Sequence, residues 1–332
     1  MAESQQVRWG VLGAARINER MLPAMARAGN ARLAAVASRR PEAAAALAAG
    51  HPGARACAGY EELLADPEID AVYLPLPNHL HAEWAVRAAE RGKHVLCEKP
   101  LALTVAEAEA VAAAARARGV HVMEGFMYRF HPQHERVWEL IRSGVIGEVR
   151  VVRASYSFLM GEARRQRAAV DVEQGGGAMW DIGSYAVSTL RWLFGAEPQA
   201  ASARARYAAT GADLTTGGVL DFGGGRLGIF DASFECARRS EYEVTGTRGG
   251  VRCHRVWQHE GDVPEVSWWT DDGGGAHERL AAADHFVLEI EEFSAALLAG
   301  RTPRFGPEDA AAQVRALRAC LRAAREGVAA VA

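Results

Sequence analysis

The sequence lacks the features that mark several classes of protein. Its formal net charge of −3 gives neither a basic field for nucleic acid nor an acidic tail. No apolar run approaches the roughly 20 residues of a membrane-spanning helix, and the polar N-terminus shows no signal-peptide pattern. The five cysteines are scattered, odd in number and without metal-ligand spacing. We therefore expect a cytoplasmic protein with no nucleic-acid partner, no membrane partner and no bound metal.

The composition is that of a soluble globular protein, with 49% hydrophobic and 24% charged residues. A chain of 332 residues is too long for one ordinary core, so two domains are expected. Up to about residue 125, short apolar runs alternate with helical patterns, which is typical of βαβ units and a parallel sheet. Beyond it, strand-like runs follow one another without intervening helices, which predicts a mainly antiparallel sheet. We place the domains at residues 1–124 and 125–332.

The predicted strands of the two domains differ in length. Those of the first domain are Val7–Leu12, Leu33–Ala37, Ala71–Leu74, His94–Cys97 and Val120–Met123. Those of the second are Val149–Phe158, Ala200–Ala208, Gly218–Phe222, Leu227–Phe234 and Tyr242–Thr245. The three glycines at 223–225 predict a hairpin between two of these strands, and the last two stretches, about 284–299 and 307–325, have helical patterns.

The turn that follows the first strand is an imperfect dinucleotide fingerprint. From Gly13 onward, Ala15 and Asn18 stand where the second and third glycines would be. A tight strand-to-helix turn without a ligand is the alternative. The context of a first strand, a helix and then a second strand favours a pyrophosphate site, because N–H groups and the helix dipole there attract negative charge. The expected cofactor contacts in this turn are Gly13, Ala15, Arg16 and Ile17.

The end of the second strand indicates which cofactor is bound. Folds that bind NAD usually place an Asp or Glu there to hold the ribose 2′-hydroxyl, but this chain has Ser38, Arg39 and Arg40. A hydroxyl and a guanidinium would bind a 2′-phosphate, which a carboxylate would repel. Solubilising surface charges are the alternative reading of the two arginines. The absence of the acid favours NADP.

Two further loops lie at the carboxyl ends of predicted strands. The first follows the third strand, and Pro75, Asn78 and His81 in it are candidate cofactor contacts, with a structural or capping role as the alternative for the histidine. The second contains Glu98 and Lys99 and follows the fourth strand. Open α/β sheets bind ligands in the crevice outside the carboxyl ends of their strands. We therefore expect Glu98 and Lys99 to contact the cofactor and Lys99 to exchange a proton with a reacting oxygen, a solvated loop lysine being the alternative.

A glycine-rich motif in the second domain carries a polar pair. Three glycines at 175–177 permit close backbone approach, and Asp181 and Tyr185 fall four residues apart, on one helical face. Taken singly, an aspartate at a helix start is commonly a cap and a tyrosine is commonly part of the core. The glycines and the polar pair together predict a functional site.

In these motifs the chain resembles the glucose–fructose oxidoreductase, inositol dehydrogenase and rhizopine-catabolism (Gfo/Idh/MocA) family. The glycine turn, the Glu-Lys-Pro triplet, Met-Tyr-Arg at 127–129 and the Gly-Gly-Gly…Asp…Tyr motif occur in that order over essentially the whole chain. The resemblance implies an α/β protein with an N-terminal Rossmann domain and a C-terminal α+β domain built on a large, mainly antiparallel open sheet. By resemblance Lys99 is the catalytic lysine, and Asp181 and Tyr185 lie in the active site. Tyrosine rather than histidine at 185 is similar to the branch with dihydrodiol dehydrogenase, NADP-linked xylose dehydrogenase and sugar-nucleotide ketoreductases.

The function that this resemblance implies is NADP-dependent hydride transfer between nicotinamide and a carbinol or carbonyl carbon of a sugar or sugar derivative. Lys99 and Tyr185 are expected to hydrogen-bond the reacting oxygen, either one being the main proton donor, while Asp181 orients Lys99 or a substrate hydroxyl. Two alternatives stay open: a dehydrogenase of a non-sugar cyclic diol, and a non-catalytic NADP-binding regulator. The expected substrate contacts, each with packing or surface charge as the alternative, are Arg129, His131 and Trp180.

The strand at 227–234 also predicts self-association. It carries Phe230 and Phe234 on one face and Leu227 and Ile229 on the other, so both faces of the sheet need cover. We expect a homo-dimer or larger assembly through the C-terminal sheet.

Overall fold

A computed structural model describes residues 5–162, 174–257, 263–327 and 329–331. The chain divides into two compact units. One consists of Met1–Phe130 and Asp284–Ala311, and the other of His131–Ala283 and Ala312–Ala332. The sequence analysis assigned all of 125–332 to the second domain, whereas residues 284–311 belong to the first unit. A helical pattern shows that an apolar face needs cover but does not show which sheet covers it.

The first unit is built on a parallel sheet whose strands are β1 (Val7–Leu12), β2 (Ala31–Ala37), β3 (Arg55–Cys57), β4 (Ala71–Leu74), β5 (His94–Glu98) and β6 (Val122–Gly125). Their order is β3-β2-β1-β4-β5-β6, and every described pair is parallel. The predicted Rossmann-type sheet is therefore confirmed, with the strand order reversing between β1 and β4. The short β3 has one buried residue, Cys57, and so gave no apolar run in the sequence.

The α-helices of the described residues are α1 (Asn18–Arg27), α2 (Pro41–Ala49), α3 (Tyr60–Ala65), α4 (His81–Glu90), α5 (Val105–Arg118), α6 (Pro132–Arg142), α7 (Ser184–Phe194), α8 (His285–Leu298) and α9 (Pro307–Glu326). In the first unit α8 packs on β1, where Phe293 contacts the ring of Trp9 at 5.7 Å and Ser294 Oγ accepts a hydrogen bond from Trp9 Nε1 at 3.2 Å. Among the described residues, no helix has the length and apolar character needed to cross a membrane.

The described residues of the second unit form a nine-stranded sheet. Its strands are β7 (Val149–Ser157), β8 (Ala200–Tyr207), β9 (Asp213–Asp221), β10 (Leu227–Ser233), β11 (Arg239–Gly246), β12 (Gly249–His254), β13 (Glu265–Thr270), β14 (Gly275–Arg279) and β15 (Ala330–Val331). The order is β14-β13-β12-β11-β7-β10-β9-β8-β15, with β7 and β10 parallel and the other described pairs antiparallel. The predicted mainly antiparallel sheet and the hairpin at 223–225, which joins β9 to β10, are both confirmed.

The two faces of this sheet differ as the alternation along β10 predicts. Phe230 is buried, whereas Leu227 is 39% exposed and Ile229 is half-buried. The exposed face also carries ion pairs between neighbouring strands, such as Arg153 with Glu243. One face therefore forms the core of the second unit, and the other combines a few apolar side chains with paired charges.

Candidate functional site

The turn between β1 and α1 is closed by a side chain where the fingerprint has its third glycine. Gly13 has a positive φ of 127° and its N–H donates to the carbonyl of Ala37, at the end of β2, over 2.8 Å. Asn18, which is buried, donates from Nδ2 to the carbonyl of Gly13, also over 2.8 Å. The asparagine thus stabilises the turn from within the helix start, so a third glycine is not needed.

This turn has the chemistry that a pyrophosphate needs. Within the described structure, the backbone N–H groups of residues 14–17 donate to no other protein group. They precede the N-terminus of α1, at the point where the strand order reverses. Unpaired N–H donors at a helix start favour an anion. The predicted contacts of Gly13, Ala15, Arg16 and Ile17 therefore lie together in a segment that fits a dinucleotide.

The side chains that predict NADP lie at the carboxyl end of β2. Ser38 directly follows the strand and accepts a hydrogen bond from the backbone N–H of Arg40 over 3.1 Å. Arg39 and Arg40 are exposed, and neither guanidinium has a partner within the described ranges. Unpaired guanidinium groups beside a serine hydroxyl fit a 2′-phosphate, since both groups donate hydrogen bonds to phosphate oxygens.

The Lys99 loop is fixed from both sides by side chains of neighbouring strands and helices. His81, at the start of α4, is fully buried and its two ring nitrogens lie 2.7 Å from the carbonyl oxygens of Leu76 and Pro100. Glu124 on β6 accepts a hydrogen bond from the backbone N–H of Leu101 over 2.9 Å. These contacts hold the Pro100–Leu101 peptide, which directly follows the cis Lys99–Pro100 bond. The ring of His81 is used by the protein itself, so its contribution to cofactor binding would be indirect.

The half-buried Glu98 lies close to a fully buried acid, Glu289, for which the sequence gave no signal. The hydroxyl of Tyr73 on β4 donates to Glu98 Oε1 over 2.5 Å. Glu289 on α8 is 1% exposed, and burial, together with the charge of Glu98, raises the pKa of its carboxyl well above the usual range. Compared with an exposed carboxyl, Glu289 therefore favours its neutral form.

Two predicted substrate contacts have structural roles in their own units. Arg129 is buried, pairs with Asp309 at 2.5 Å and lies 4.6 Å from the ring centre of Phe305. In the other unit, His131 caps α6 by accepting a hydrogen bond at Nδ1 from the N–H of Gln133 over 3.2 Å. These contacts give both residues a structural role, and their predicted contacts with the substrate stay predictions.

In the second unit the glycine motif leads into a π-helical turn, Met179–Gly183, which continues as α7. Gly177 has a φ of +103°, and a Cβ there would lie 2.1 Å from Asp213 Oδ1. Asp213 Oδ2 in turn accepts hydrogen bonds from the N–H of Met179 over 2.8 Å and from Thr216 Oγ1 over 2.6 Å. The glycine therefore makes room for a buried carboxylate that caps the π-helical turn, a role for Asp213 that sequence reasoning missed.

Asp181 lies within the π-helical turn and Tyr185 in the first turn of α7. The Tyr185 ring is 7% exposed and contacts Tyr156 edge-on at 5.7 Å and Trp257 at 6.2 Å. Tyr156 and Trp257 stack on each other at 4.9 Å. These aromatic contacts fix the ring of Tyr185, while Asp181 stays partly exposed.

Buried polar side chains hold the backbone of this motif. Gln313 donates from Nε2 to the carbonyl of Ser184 over 2.8 Å. Arg191 donates to Gln313 Oε1 over 2.9 Å and binds both carboxylate oxygens of Glu197. The start of α7 is thus anchored by a chain of hydrogen bonds within the second unit.

The predicted site residues fall into two groups, one in each unit. In the first, the cofactor residues and Lys99 lie at the carboxyl ends of β1, β2, β4 and β5. In the second, Trp180, Asp181 and Tyr185 lie on one helical segment. Within the described ranges, no group of three or more His, Cys, Asp or Glu side chains is arranged to hold a metal ion.

Comparisons with known proteins match segments of both units. Residues 7–126 match the model of the oxidoreductase family with a NAD-binding Rossmann fold, and residues 134–252 match the GFO/IDH/MocA C-terminal domain. The chain is 34% identical over 321 residues to D-xylose 1-dehydrogenase (NADP(+)) 2 of Haloferax volcanii, covering 97% of this chain and 98% of the relative. It is also 34% identical over 248 residues to a trans-1,2-dihydrobenzene-1,2-diol dehydrogenase of Xenopus laevis, covering 74% of each.

A solved structure with the same fold is KijD10, a 3-ketoreductase from Actinomadura kijaniata in complex with NADP and TDP-benzene. The two chains are 34% identical and superpose with a TM-score of 0.88 over 96% of this chain and 98% of KijD10.

Proposed function

We propose that this chain, which belongs to the GFO/IDH/MocA oxidoreductase family, transfers a hydride between NADP and a carbinol or carbonyl carbon of a sugar or sugar derivative. The observation that carries the proposal is the position of Lys99. It follows β5 in a sheet whose β1 turn has unpaired N–H donors. Its loop is held by Glu124 and His81. A proton-exchanging group and a dinucleotide turn at one edge of a sheet are what hydride transfer to a carbonyl needs.

NADP is the proposed cofactor because of the end of β2. The related xylose dehydrogenase has NADP in its name, and KijD10 was solved in complex with NADP. In this chain Ser38, Arg39 and Arg40 would hold the 2′-phosphate, and the 13–17 turn would hold the pyrophosphate. Pro75, Asn78, Glu98 and Lys99 remain proposed contacts elsewhere along the cofactor. When bound, the nicotinamide ring accepts or supplies the hydride.

The proton chemistry is assigned to three side chains. The ammonium of Lys99 would donate a hydrogen bond to the reacting oxygen and stabilise negative charge as it develops there. The hydroxyl of Tyr185 would relay the proton, and Asp181 would accept a hydrogen bond from a substrate hydroxyl. The aromatic contacts of Tyr185 support this assignment, since a fixed ring keeps the hydroxyl in one place. Trp180 is the substrate contact that the structure supports best, because it lies beside Asp181 and lines a cavity.

A second candidate substrate is a non-sugar cyclic diol. The observation that favours it is the similarity to trans-1,2-dihydrobenzene-1,2-diol dehydrogenase, which is as close in identity as the xylose dehydrogenase. Both substrate classes present neighbouring hydroxyl-bearing carbons, so the same proton-exchanging groups would serve either one.

The deciding experiment is a panel of aldoses, polyols and trans-dihydrodiols assayed with NADP⁺ by the absorbance of reduced cofactor. Turnover of an aldose by the wild type, and its loss in Lys99→Ala, would support the proposal. Turnover of the diols alone would favour the second candidate. If NADP binds but no member of the panel is oxidised, and no corresponding carbonyl is reduced, both proposed substrate classes would be wrong.

We also propose a homo-oligomer, assembled through the exposed face of the second unit's sheet, and a cytoplasmic location. The exposed apolar side chains on β9 and β10 support the assembly, since Val219 is 36% and Leu227 39% exposed.

A further inference from the structure

A cavity of about 310 Å³ lies within the second unit, apart from Asp181 and Tyr185. It is lined by the last turns of α9, by Tyr207 at the end of β8 and by Gly176 and Trp180 of the glycine motif. Two carboxylates, Asp213 and Glu326, also line it. Its volume is at the lower end of the range typical of small-molecule sites.

Three arginines of α9 line this cavity: Arg318, Arg322 and Arg325. Their spacing of four and three residues places them on one face of the helix. Cations near a helix C-terminus are stabilised by the helix dipole, which accounts for single arginines at these positions. It does not account for three on one face, because like charges at this spacing repel each other. A bound anion would remove the repulsion.

Two of these guanidinium groups have donors available for a ligand. Arg325 has no hydrogen bond or ion pair within the described part of the chain, and Arg322 donates there only to the carbonyl of Val331, over 2.7 Å. Some arginines of the same unit are paired with carboxylates, as Arg136 is with Glu278 and Arg191 with Glu197, whereas others, such as Arg204 and Arg226, donate to backbone carbonyls. A guanidinium has five N–H donors, so both residues can bind an anion bidentately.

An independent polar group in the same cavity also lacks a partner. The hydroxyl of Tyr207 is buried and makes no hydrogen bond in the described structure. The nearby carboxylate of Asp213 accepts instead from Met179 N and Thr216 Oγ1. Burial raises the pKa of Tyr207, the charge of Asp213 raises it further, and the charge of Arg325 opposes both. Tyr207 is therefore a neutral O–H donor beside cationic side chains.

We propose that this cavity binds the phosphate or diphosphate group of a ligand, held by Arg322, Arg325 and the hydroxyl of Tyr207. All three groups donate hydrogen bonds, and a phosphate offers several acceptor oxygens with the opposite charge. Two sources share this chemistry: a phosphate carried by the substrate, and free phosphate or pyrophosphate. The first source rests on the proposed function, and it is favoured by Gly176 and Trp180, which belong both to the cavity and to the motif assigned to the substrate.

The test is calorimetric titration of pyrophosphate into the full chain saturated with NADP, so that the phosphate-binding groups of the cofactor site are already filled. The test variant is Arg322→Gln/Arg325→Gln, and the control is Arg315→Gln, an exposed arginine of the same helix that does not line the cavity. We expect binding by the wild type and the control, and at least tenfold weaker binding by the double variant with unchanged NADP affinity. Tyr207→Phe, which removes only the hydroxyl, should weaken binding less. Absence of binding by the wild type, or equal binding by the double variant, would overturn the proposal.

Steady-state kinetics separates the two sources. If the substrate carries the phosphate, the double variant raises KM for phosphorylated sugars with little change in kcat and leaves free sugars unaffected. If the ligand is free, pyrophosphate changes the turnover of free sugars by the wild type and not by the double variant. Both results support the site. The calorimetric titration does not depend on turnover. If the proposed oxidoreductase activity were not found, the titration would still show whether the cavity binds pyrophosphate.

Discussion

At the scale of single residues, Lys99 is distinguished by the scarcity of lysine. The chain contains two lysines, Lys93 and Lys99. The ammonium of Lys93 is committed to the carbonyls of Asp66 and Ile69, at 2.6 and 2.8 Å. Lys99 lies instead in a loop whose backbone is fixed by its neighbours, which is how a group that must meet a substrate is best held.

We predict that Lys99→Ala lowers kcat by at least about 10², the low end of the loss for a positioned acid–base group. Lys99→Arg keeps the positive charge but does not release its proton, so it should recover binding of the reacting oxygen and little turnover. Tyr185→Phe should cost less than Lys99→Ala, because Lys99 and water can partly replace its hydroxyl. Steady-state kinetics with NADP affinity measured separately checks all three variants, and wild-type turnover by Lys99→Ala would refute the mechanism.

A second prediction concerns Arg39, whose guanidinium has no protein partner in the described structure. A charge-assisted hydrogen bond to phosphate contributes roughly 1.5–3 kcal/mol, or about ten- to a hundredfold in affinity. Arg39→Ala should therefore weaken NADP binding by that factor and leave NAD binding nearly unchanged. The matched control is Arg32→Ala, an exposed arginine on β2. Equal affinity of the wild type for NAD and NADP would contradict the assignment.

A third prediction follows from His94 at the start of β5. Burial, and next the charge of His121, lowers the pKa of His94 to about 4, from 6.5. At a pH between the two pKa values, His94 binds a proton in the unfolded chain but not in the folded chain. The free energy of unfolding therefore falls as the pH drops from about 6.5 to 4. In the structure, His94 Nδ1 accepts a hydrogen bond from the backbone N–H of His121 over 3.0 Å. The variant His94→Asn keeps a hydrogen-bond acceptor at this position and removes the imidazole that titrates.

Denaturant unfolding at pH 7 and pH 4.5 should show a smaller loss of stability in His94→Asn than in the wild type. His51→Asn, at a histidine that follows α2, serves as the control and should lose as much as the wild type. An identical loss in all three proteins would show that His94 is not part of the acid sensitivity.

Residue roles could be predicted from the sequence where a local motif carries them, and not where a distant contact does. Lys99 and Gly13 follow apolar strands, so their places at the sheet edge could be predicted. Asp213 and Glu289 act on segments far away in the chain, and nothing in their own surroundings indicates a buried carboxylate. Arg129 shows the same limit, since its ion pair with Asp309 joins residues 180 positions apart.

At the scale of elements, strand detection depended on apolar runs. The bounds of β1 and β4 agree with the prediction because these strands are short, apolar and buried on both faces. The strands β12, β13 and β14 were missed. They carry glycines, arginine and glutamate, and β14 is mostly exposed, so the period-2 pattern is weak there. The helix α8 was predicted, but its packing on β1 was not, because an amphipathic pattern does not indicate which element the apolar face packs against.

Gly177 gives a prediction for the π-helical turn. An alanine there would combine a φ of +103° with a Cβ 2.1 Å from Asp213 Oδ1, and strained backbone alone costs about 1–3 kcal/mol. Gly177→Ala should lower the free energy of unfolding by at least that amount and also reduce turnover, because the turn carries Asp181. Gly29→Ala, where a Cβ would meet nothing within 4 Å, should change stability little. Equal denaturation midpoints for the two variants would show that the contact between Gly177 and Asp213 does not exclude a Cβ at position 177.

At the scale of the whole molecule, the exposed face of the second unit's sheet has the pattern of an interface. Leu227 pairs with Val151 on β7, and Ile229 pairs with Val219 on β9. These four side chains form an apolar strip across three adjacent strands. Ion pairs flank it, among them the pair of Asp231 with Arg239. An apolar centre with a polar rim is the usual anatomy of a protein–protein interface.

We predict that the wild type is a homo-dimer or larger and that Val219→Asp/Leu227→Asp shifts it towards the monomer, because an interface would then bury two unpaired carboxylates. The control is Leu298→Asp, which places a single carboxylate at an equally exposed leucine on α8, in the other unit. Light scattering at micromolar concentration should give a multiple of the chain mass for the wild type and the control, and a lower mass for the double variant. Circular dichroism must show the same fold in all three. A monomeric wild type would show that the apolar strip stays exposed to solvent. An unchanged mass for the double variant would show that the interface lies on another surface.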